Sequence, residues 1–290
     1  GSQCPTTANT TVALMQGPGI VVPLLTQGGS VTFTVTATAT ATSGSLTNTA
    51  LLAVPAGVIE STPADNTAND TDVQSGSITI VKDALPDDAQ DFAFVTTGPG
   101  LSDFSLDDDA DATVPNTRTF TGLAAGSYSV AETTMAGWTL TGLVCADPDS
   151  GSTVNLGTGV ATIDLDAGED ITCTYTNSKQ AIVRLQKSLP DGRFNATDQF
   201  TLGIAGAGAP APVTTGGSGN TTTGTVTVGA ATLGGTYTLS ESAAAGAELA
   251  NYATTYSCIN AAAGGQTPAG SGTIFSVTPA AGDDLTCSFI

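Results

Sequence analysis

The chain has 290 residues, a formal net charge of −20, six basic residues and no histidine, with only 11% charged and 5% aromatic side chains. Such a charge repels a phosphate backbone and excludes nucleic acid as a partner, and the lack of imidazole removes the commonest general base and zinc ligand. The length suits two or three domains, and the excess of Thr, Ala, Gly, Ser and Val over Leu, Glu, Lys and Arg predicts an all-β protein.

In chain order, strand-like runs fall at 20–25, 30–42 and 48–55, followed by a polar stretch containing Asp65, Asn66, Asn69 and Asp70. Residues 1–75 therefore read as one domain, part of an Ig-like sandwich. At 77–82 an alternating run, Ser77-Ile78-Thr79-Ile80-Val81-Lys82, leads into Leu85-Pro86-Asp87. The pattern returns as 182–187, ending on Lys187, followed by Leu189-Pro190-Asp191. A glycine turn, an alternating strand and a glutamate recur as 122–132, ending on Glu132, and 233–241, ending on Glu241. The closing segments 167–177 and 281–290 match as well, except that the second stops one residue before the position of Asn177. Residues 76–180 and 181–290 are thus two copies of one unit.

Five cysteines occur without a CxxC pair, at Cys4, Cys145, Cys173, Cys258 and Cys287. The last four form two pairs of nearly equal separation at matching places in the repeats. This predicts one disulfide in each repeat, Cys145 with Cys173 and Cys258 with Cys287, formed in an oxidising compartment. Cys4 is left over. No run of about 18 apolar residues exists, so no membrane span is expected, and any export signal would lie upstream.

The repeats resemble the collagen-adhesin B-type, or SpaA-like prealbumin-fold, domains of bacterial surface proteins and pilins. The carriers are Lys82 and Lys187 at the end of the first strand, the Tyr-x-x-x-Glu of Tyr128 to Glu132 and Tyr237 to Glu241, and Asn177 after the last strand. The N-terminal part resembles, more loosely, the second half of a bacterial Ig-like surface repeat, through 48–50, 55–58 and 65–69. There Gly-Ser-x-Cys-Pro sits in mid-domain, which implies that the partner of Cys4 belongs upstream and that both chain ends fall inside domains.

The resemblance implies tandem Ig-like or prealbumin-like β-sandwiches in an elongated rod. It also implies an isopeptide bond in which the Lys82 amine attacks the Asn177 carboxamide, with Glu132 as proton shuttle. Burial would lower the lysine pKa and raise that of the glutamate, and proximity held by the sandwich would supply the rest. Two of the chain's three lysines occupy this strand position. For Lys187 and Glu241 the matching Asn would be residue 291, supplied by a longer chain or by another subunit.

Asp107, Asp108, Asp109 and Asp111 concentrate carboxylates in a loop that suits Ca²⁺, though without the Gly and final Glu of an EF-hand. Asp65, Asn66, Asn69 and Asp70 are a weaker cation candidate. Trp138 reads as core, the glycine-rich run near Gly216 as a hairpin, and the sequons at Asn9, Asn69, Asn195 and Asn220 as chance in a Thr-rich chain. The expected function is a non-enzymatic extracellular stalk or adhesin segment at the bacterial surface. The alternatives are a filament or pilus subunit completed by strand addition from a copy of itself and a binding module for host matrix or glycan. No catalytic constellation or cofactor frame is present beyond the self-cross-linking triad and the Ca²⁺ candidate.

Overall fold

The computed structural model describes residues 5, 10–22, 24–25, 27–36, 44–111 and 113–290. Cys4 and Asn9 lie outside them. The chain divides into two compact units, Gly1–Ala41 and Thr42–Ile290.

In the first unit the regular element among the described residues is a single helical turn, α1 (Val12–Met15). It is capped by Thr11, whose Oγ1 accepts the Leu14 N–H at 3.3 Å. The runs at 20–25 and 30–42 form no strands over their described residues, which corrects the strand expectation. Alternating Thr and Val express only a preference for extended backbone, and a strand also needs a neighbour to accept its ladder bonds.

The second unit opens with a two-stranded antiparallel ladder, β1 (Ser45–Leu51) and β2 (Thr67–Val73), in which every residue is exposed. No sandwich forms among the described residues before Gly76.

Two β-sandwiches follow. The first contains β3 (Gly76–Leu85), β4 (Asp88–Thr97), β5 (Phe104–Asp108), β6 (Thr117–Leu123), β7 (Gly126–Glu132), β8 (Trp138–Ala146), β9 (Thr153–Asn155), β10 (Val160–Leu165) and β11 (Asp170–Lys179). Its sheets run β5-β4-β7-β10-β9 and β6-β3-β11-β8. The second contains β12 (Ala181–Lys187), β13 (Gln199–Ala205), β14 (Val213–Thr214), β15 (Thr225–Ala231), β16 (Tyr237–Ala244), β17 (Thr255–Asn260), β18 (Ala269–Ser271), β19 (Ile274–Val277) and β20 (Asp284–Phe289). Its sheets run β15-β12-β20-β17-β18 and β14-β13-β16-β19. The layout repeats strand for strand except at β18, which pairs with β17, whereas β9 pairs with β10.

In each sandwich the first and last strands are parallel neighbours, β3 with β11 and β12 with β20. A parallel pair needs a long crossover, and here the whole domain is that crossover. The period-2 alternation of side chains turns Ile78, Ile80, Lys82 and Ala84 of β3 inward, and Ile171, Cys173, Tyr175 and Asn177 of β11 beside them. Facing them, β7 turns in Tyr128, Val130 and Glu132. The first core is completed by Phe92, Phe94 and Trp138. Phe94 meets Tyr175 edge-on at 5.1 Å and Phe92 meets Trp138 at 5.2 Å. Each such buried side chain contributes about 1.5–3 kcal/mol of transfer energy.

Gly98 and Gly206 stand at matching places, with φ of +132° and +156°. A Cβ on either would lie 2.4 or 2.5 Å from the ring of Tyr128 or Tyr237, so glycine there lets the backbone lie flat on the tyrosine that begins the Tyr-x-x-x-Glu row.

Gln180 alone separates β11 from β12. Its N–H reaches Gly137 O at 2.8 Å, and Gly282 N–H of the second sandwich reaches Lys179 O of the first at 3.1 Å. A Cβ on Gly282 would meet Pro86 Cδ at 3.0 Å, so the two sandwiches abut closely at this joint.

Candidate functional site

The residues that carry chemistry lie at or next to the last members of the inward rows, at one end of each sandwich. A side chain there is buried because its row is. Lys82 is 1%, Asn177 3% and Glu132 7% exposed. Lys82 Nζ donates to Asp83 O at 2.9 Å and to Tyr175 O at 3.2 Å, two residues before Asn177 on the adjoining strand, and sits 4.1 Å from the Phe92 ring centroid. Asn177 Nδ2 donates to Glu132 Oε1 at 2.6 Å, while Glu132 Oε2 and Asn177 Oδ1 are buried without a hydrogen-bond partner. The ladder between β11 and β8 shifts register between Thr176 and Asn177. A bulge of this kind re-aims side chains, and both Asn177 and Ser178 are buried.

The electrostatics follow from this burial. Desolvation pulls the Lys82 ammonium down to about 8, against the opposing carboxylates of Glu132, Asp83 and Asp108. Desolvation pushes the Glu132 carboxyl up, against Lys82 and the Asn177 amide. Burial thus penalises the charged form of both groups. A cleft of 320 Å³ lined by Met135, Trp138, Leu140 and Gly159 reaches Glu132 and Asn177.

In the second sandwich Lys187 and Glu241 take the equivalent places, with side chains 1% and 0% exposed and Nζ 3.0 Å from Oε1 and 3.2 Å from Oε2. Lys187 Nζ lies 4.5 Å from the Phe200 ring centroid, as Lys82 does over Phe92. Phe289 pairs with Lys187 as Tyr175 pairs with Lys82. Burial pushes the Glu241 carboxyl up, opposed by Lys187.

Each sandwich contains one disulfide between directly opposed residues of adjacent antiparallel strands, Cys145 with Cys173 and Cys258 with Cys287, with Cα atoms 4.0 and 3.9 Å apart. Trp138 is buried in the core, and the Lys179 ammonium, paired with Asp88 at 2.7 Å, lies 5.5 Å from its ring. The Gly216 run is a narrow loop bridged Gly216 to Thr223. Arg193 holds it by donating to the carbonyls of Gly216, Gly219 and Thr221.

The acidic candidates sort differently from expectation. Asp107, Asp109 and Asp111 bring one carboxylate oxygen each within 4.8 Å of one another. Asp108 is not with them. As the next residue along β5 it turns to the other face, where Oδ2 accepts the Ala84 N–H at 2.9 Å. Asp65, Asn66, Asn69 and Asp70 do not converge. Asp65 lies in a 3₁₀ turn (Pro63–Asp65), Asn66 donates to Glu60 at 2.6 Å, and Asn69 and Asp70 are successive residues of β2 facing opposite sides.

A second cluster, Asp147, Asp149 and Glu169, joins two segments that are apart in the sequence and meet in the fold. Its signal in the sequence is comparative. In the second repeat the corresponding buried carboxylate, Asp283, accepts from the side-chain amides of Asn260 and Gln266 at 2.7 Å each.

Among the described residues no helix is long and apolar enough to cross a membrane. No curated protein matches the chain. Its fold is similar to that of a major pilin from Streptococcus pyogenes (14% identity, 75% of this chain and 98% of that one, TM-score 0.30). It is similar also to the Bacillus anthracis TIE protein (14%, 77% and 37%, 0.27) and to the pilus adhesin SpaC from Lactobacillus rhamnosus GG in its open conformation (16%, 74% and 31%, 0.26). Family models described as prealbumin-like fold domains of the SpaA group match residues 78–179 and 182–290. With those two matches covering most of its length, the chain belongs to the SpaA-like prealbumin-fold family as two such domains in tandem.

Proposed function

We propose that this chain is a structural segment of a bacterial surface assembly, a stalk, adhesin or pilus, and that its first prealbumin-like domain cross-links itself through Lys82 and Asn177. The observation that carries the cross-link is the buried triad: Asn177 on Glu132 at 2.6 Å, with Lys82 held two residues away along the adjoining strand. In this reading Lys82 passes a proton to Glu132. The neutral amine attacks Asn177 Cγ, Glu132 gives its proton to Nδ2 as the C–N bond to Nδ2 breaks, and the carboxylate so formed takes the surplus proton from the attacking nitrogen, so that ammonia leaves and Glu132 ends protonated. Protonating Glu132 Oε2 also supplies a donor for the unpaired Asn177 Oδ1, the oxygen that takes negative charge during attack.

A bond between β3 and β11 would join the first and last strands of the domain. Tension applied to its ends would then load a covalent bond in place of a hydrogen-bond ladder. That property, together with the disulfides, favours the surface-stalk reading over a binding module. A second reading, a subunit that polymerises, rests on Lys187 and Glu241, whose buried side chains pair at 3.0 Å. The intact mass of the reduced, denatured protein tests both. One ammonia less than the sequence mass, restored to the full mass by Lys82→Ala, supports the internal link, and covalent multimers support polymerisation. An unmodified wild-type mass refutes the cross-link.

A further inference from the structure

Away from the cross-linking triad, the end of β5 holds a carboxylate that nothing in the fold neutralises. Asp107 is 2% exposed, and among the described residues no N–H or O–H donates to it and no basic group pairs with it. Its nearest charges are all negative, so the fold repels the ionised carboxylate unless a cation compensates it. Its oxygen faces Asp109 and Asp111, with the three ligand atoms within 4.8 Å of one another, and Asp91 of the neighbouring strand adds to the negative field. Asp109 and Asp111 are fixed through one oxygen each. Asp111 N–H donates to Asp109 Oδ1 at 2.7 Å, and Thr113 N–H and Oγ1 donate to Asp111 Oδ1 at 2.8 and 2.6 Å. The second oxygen of each remains available to a ligand.

We propose that Asp107, Asp109 and Asp111 form a Ca²⁺ site at the exit of β5. The donors are all hard oxygens at alternate positions of one loop, which suits an ion that accepts six to eight oxygens in irregular geometry. It suits Mg²⁺, which demands a near-ideal octahedron, less well. Water and loop carbonyls complete the shell. The ion would tie β5 to the loop leading into β6, whose Asn116 carbonyl accepts the Lys82 N–H at 2.8 Å. Beside it Asp108 holds Ala84 N–H, so the ion would stiffen the end of β3 that carries Lys82.

The test is calorimetric titration of the full chain, stripped with EDTA, with CaCl₂ at low ionic strength. The expected result is a site with a Kd on the order of 10⁻⁴–10⁻³ M, the range of extracellular modules. That heat disappears in Asp107→Asn, weakens by about tenfold or more in the exposed variant Asp111→Asn, and persists in Asp147→Asn. In EDTA, Asp107→Asn melts higher than the wild type because the repulsion among neighbouring carboxylates is relieved, which separates loss of the site from loss of the fold. No heat in the wild type overturns the proposal. Heat that survives both Asp107→Asn and Asp111→Asn also overturns it and places the ion at Asp147, Asp149 and Glu169.

Discussion

Replacing the cysteines of one domain by alanine is predicted to cost almost the same stability in either domain. The Cys145–Cys173 bridge spans 28 residues of chain and the Cys258–Cys287 bridge spans 29. In the unfolded-chain model each contributes about 3.6 kcal/mol at 25 °C. Cys173 and Cys287 are fully buried at equivalent ladder positions, so the packing lost with each sulfur, on the order of 1 kcal/mol, is also matched. A Lys82–Asn177 bond would alter the comparison little. Closing the shorter loop inside a ring of roughly 95 residues lowers the entropic gain by only about 0.3 kcal/mol. Differential scanning calorimetry of Cys145→Ala/Cys173→Ala and of Cys258→Ala/Cys287→Ala should show the affected domain melting roughly 15–25 °C lower in each case. A loss below about 1 kcal/mol in either variant would refute the assignment of this stability to constraint of the unfolded chain.

Asn177→Ala removes the carboxamide and leaves Lys82 buried and unlinked. With a folded pKa of about 8 against an ordinary 10.5, the folded state releases its proton before the unfolded state does. Stability of the first domain should therefore rise with pH from about 8, by about 2 kcal/mol at pH 10. Above that, Tyr175, pushed up by burial, works in the opposite direction. Urea melts across this range that are flat or falling would contradict the buried-lysine geometry. In the second domain, Lys187→Met strands the Glu241 carboxylate and should cost about 3–5 kcal/mol, whereas Lys187→Met/Glu241→Leu should return to within about 1 kcal/mol of the wild type. Equal losses in the single and double variants would mean that the pair is a net stabiliser.

Much of the candidate site can be read from one dimension. Lys82, Glu132 and Lys187 end alternating runs whose other members are apolar, and a period of two carries such a residue into the core along with its neighbours. The pairing of the cysteines follows from their recurrence in two copies. Other features needed the fold. The runs at 20–25 and 30–42 have the same local character as β3, yet over their described residues they form no strand. Asp107 and Asp108 look equivalent as letters, but adjacent strand residues face opposite sides, so one joins an acidic cluster and the other caps β3. Asp147, Asp149 and Glu169 converge only because β11 lies beside β8.

What the sequence by itself determined is the content of each inward row, because alternation along a strand is a local property of an L-polypeptide. Which rows face one another was decided by tertiary structure. The parallel closure of β3 on β11, the register that sets Lys82 opposite Tyr175, and the bulge that turns Asn177 toward Glu132 all depend on contacts between residues far apart in the chain. Such contacts form only when the whole sandwich closes.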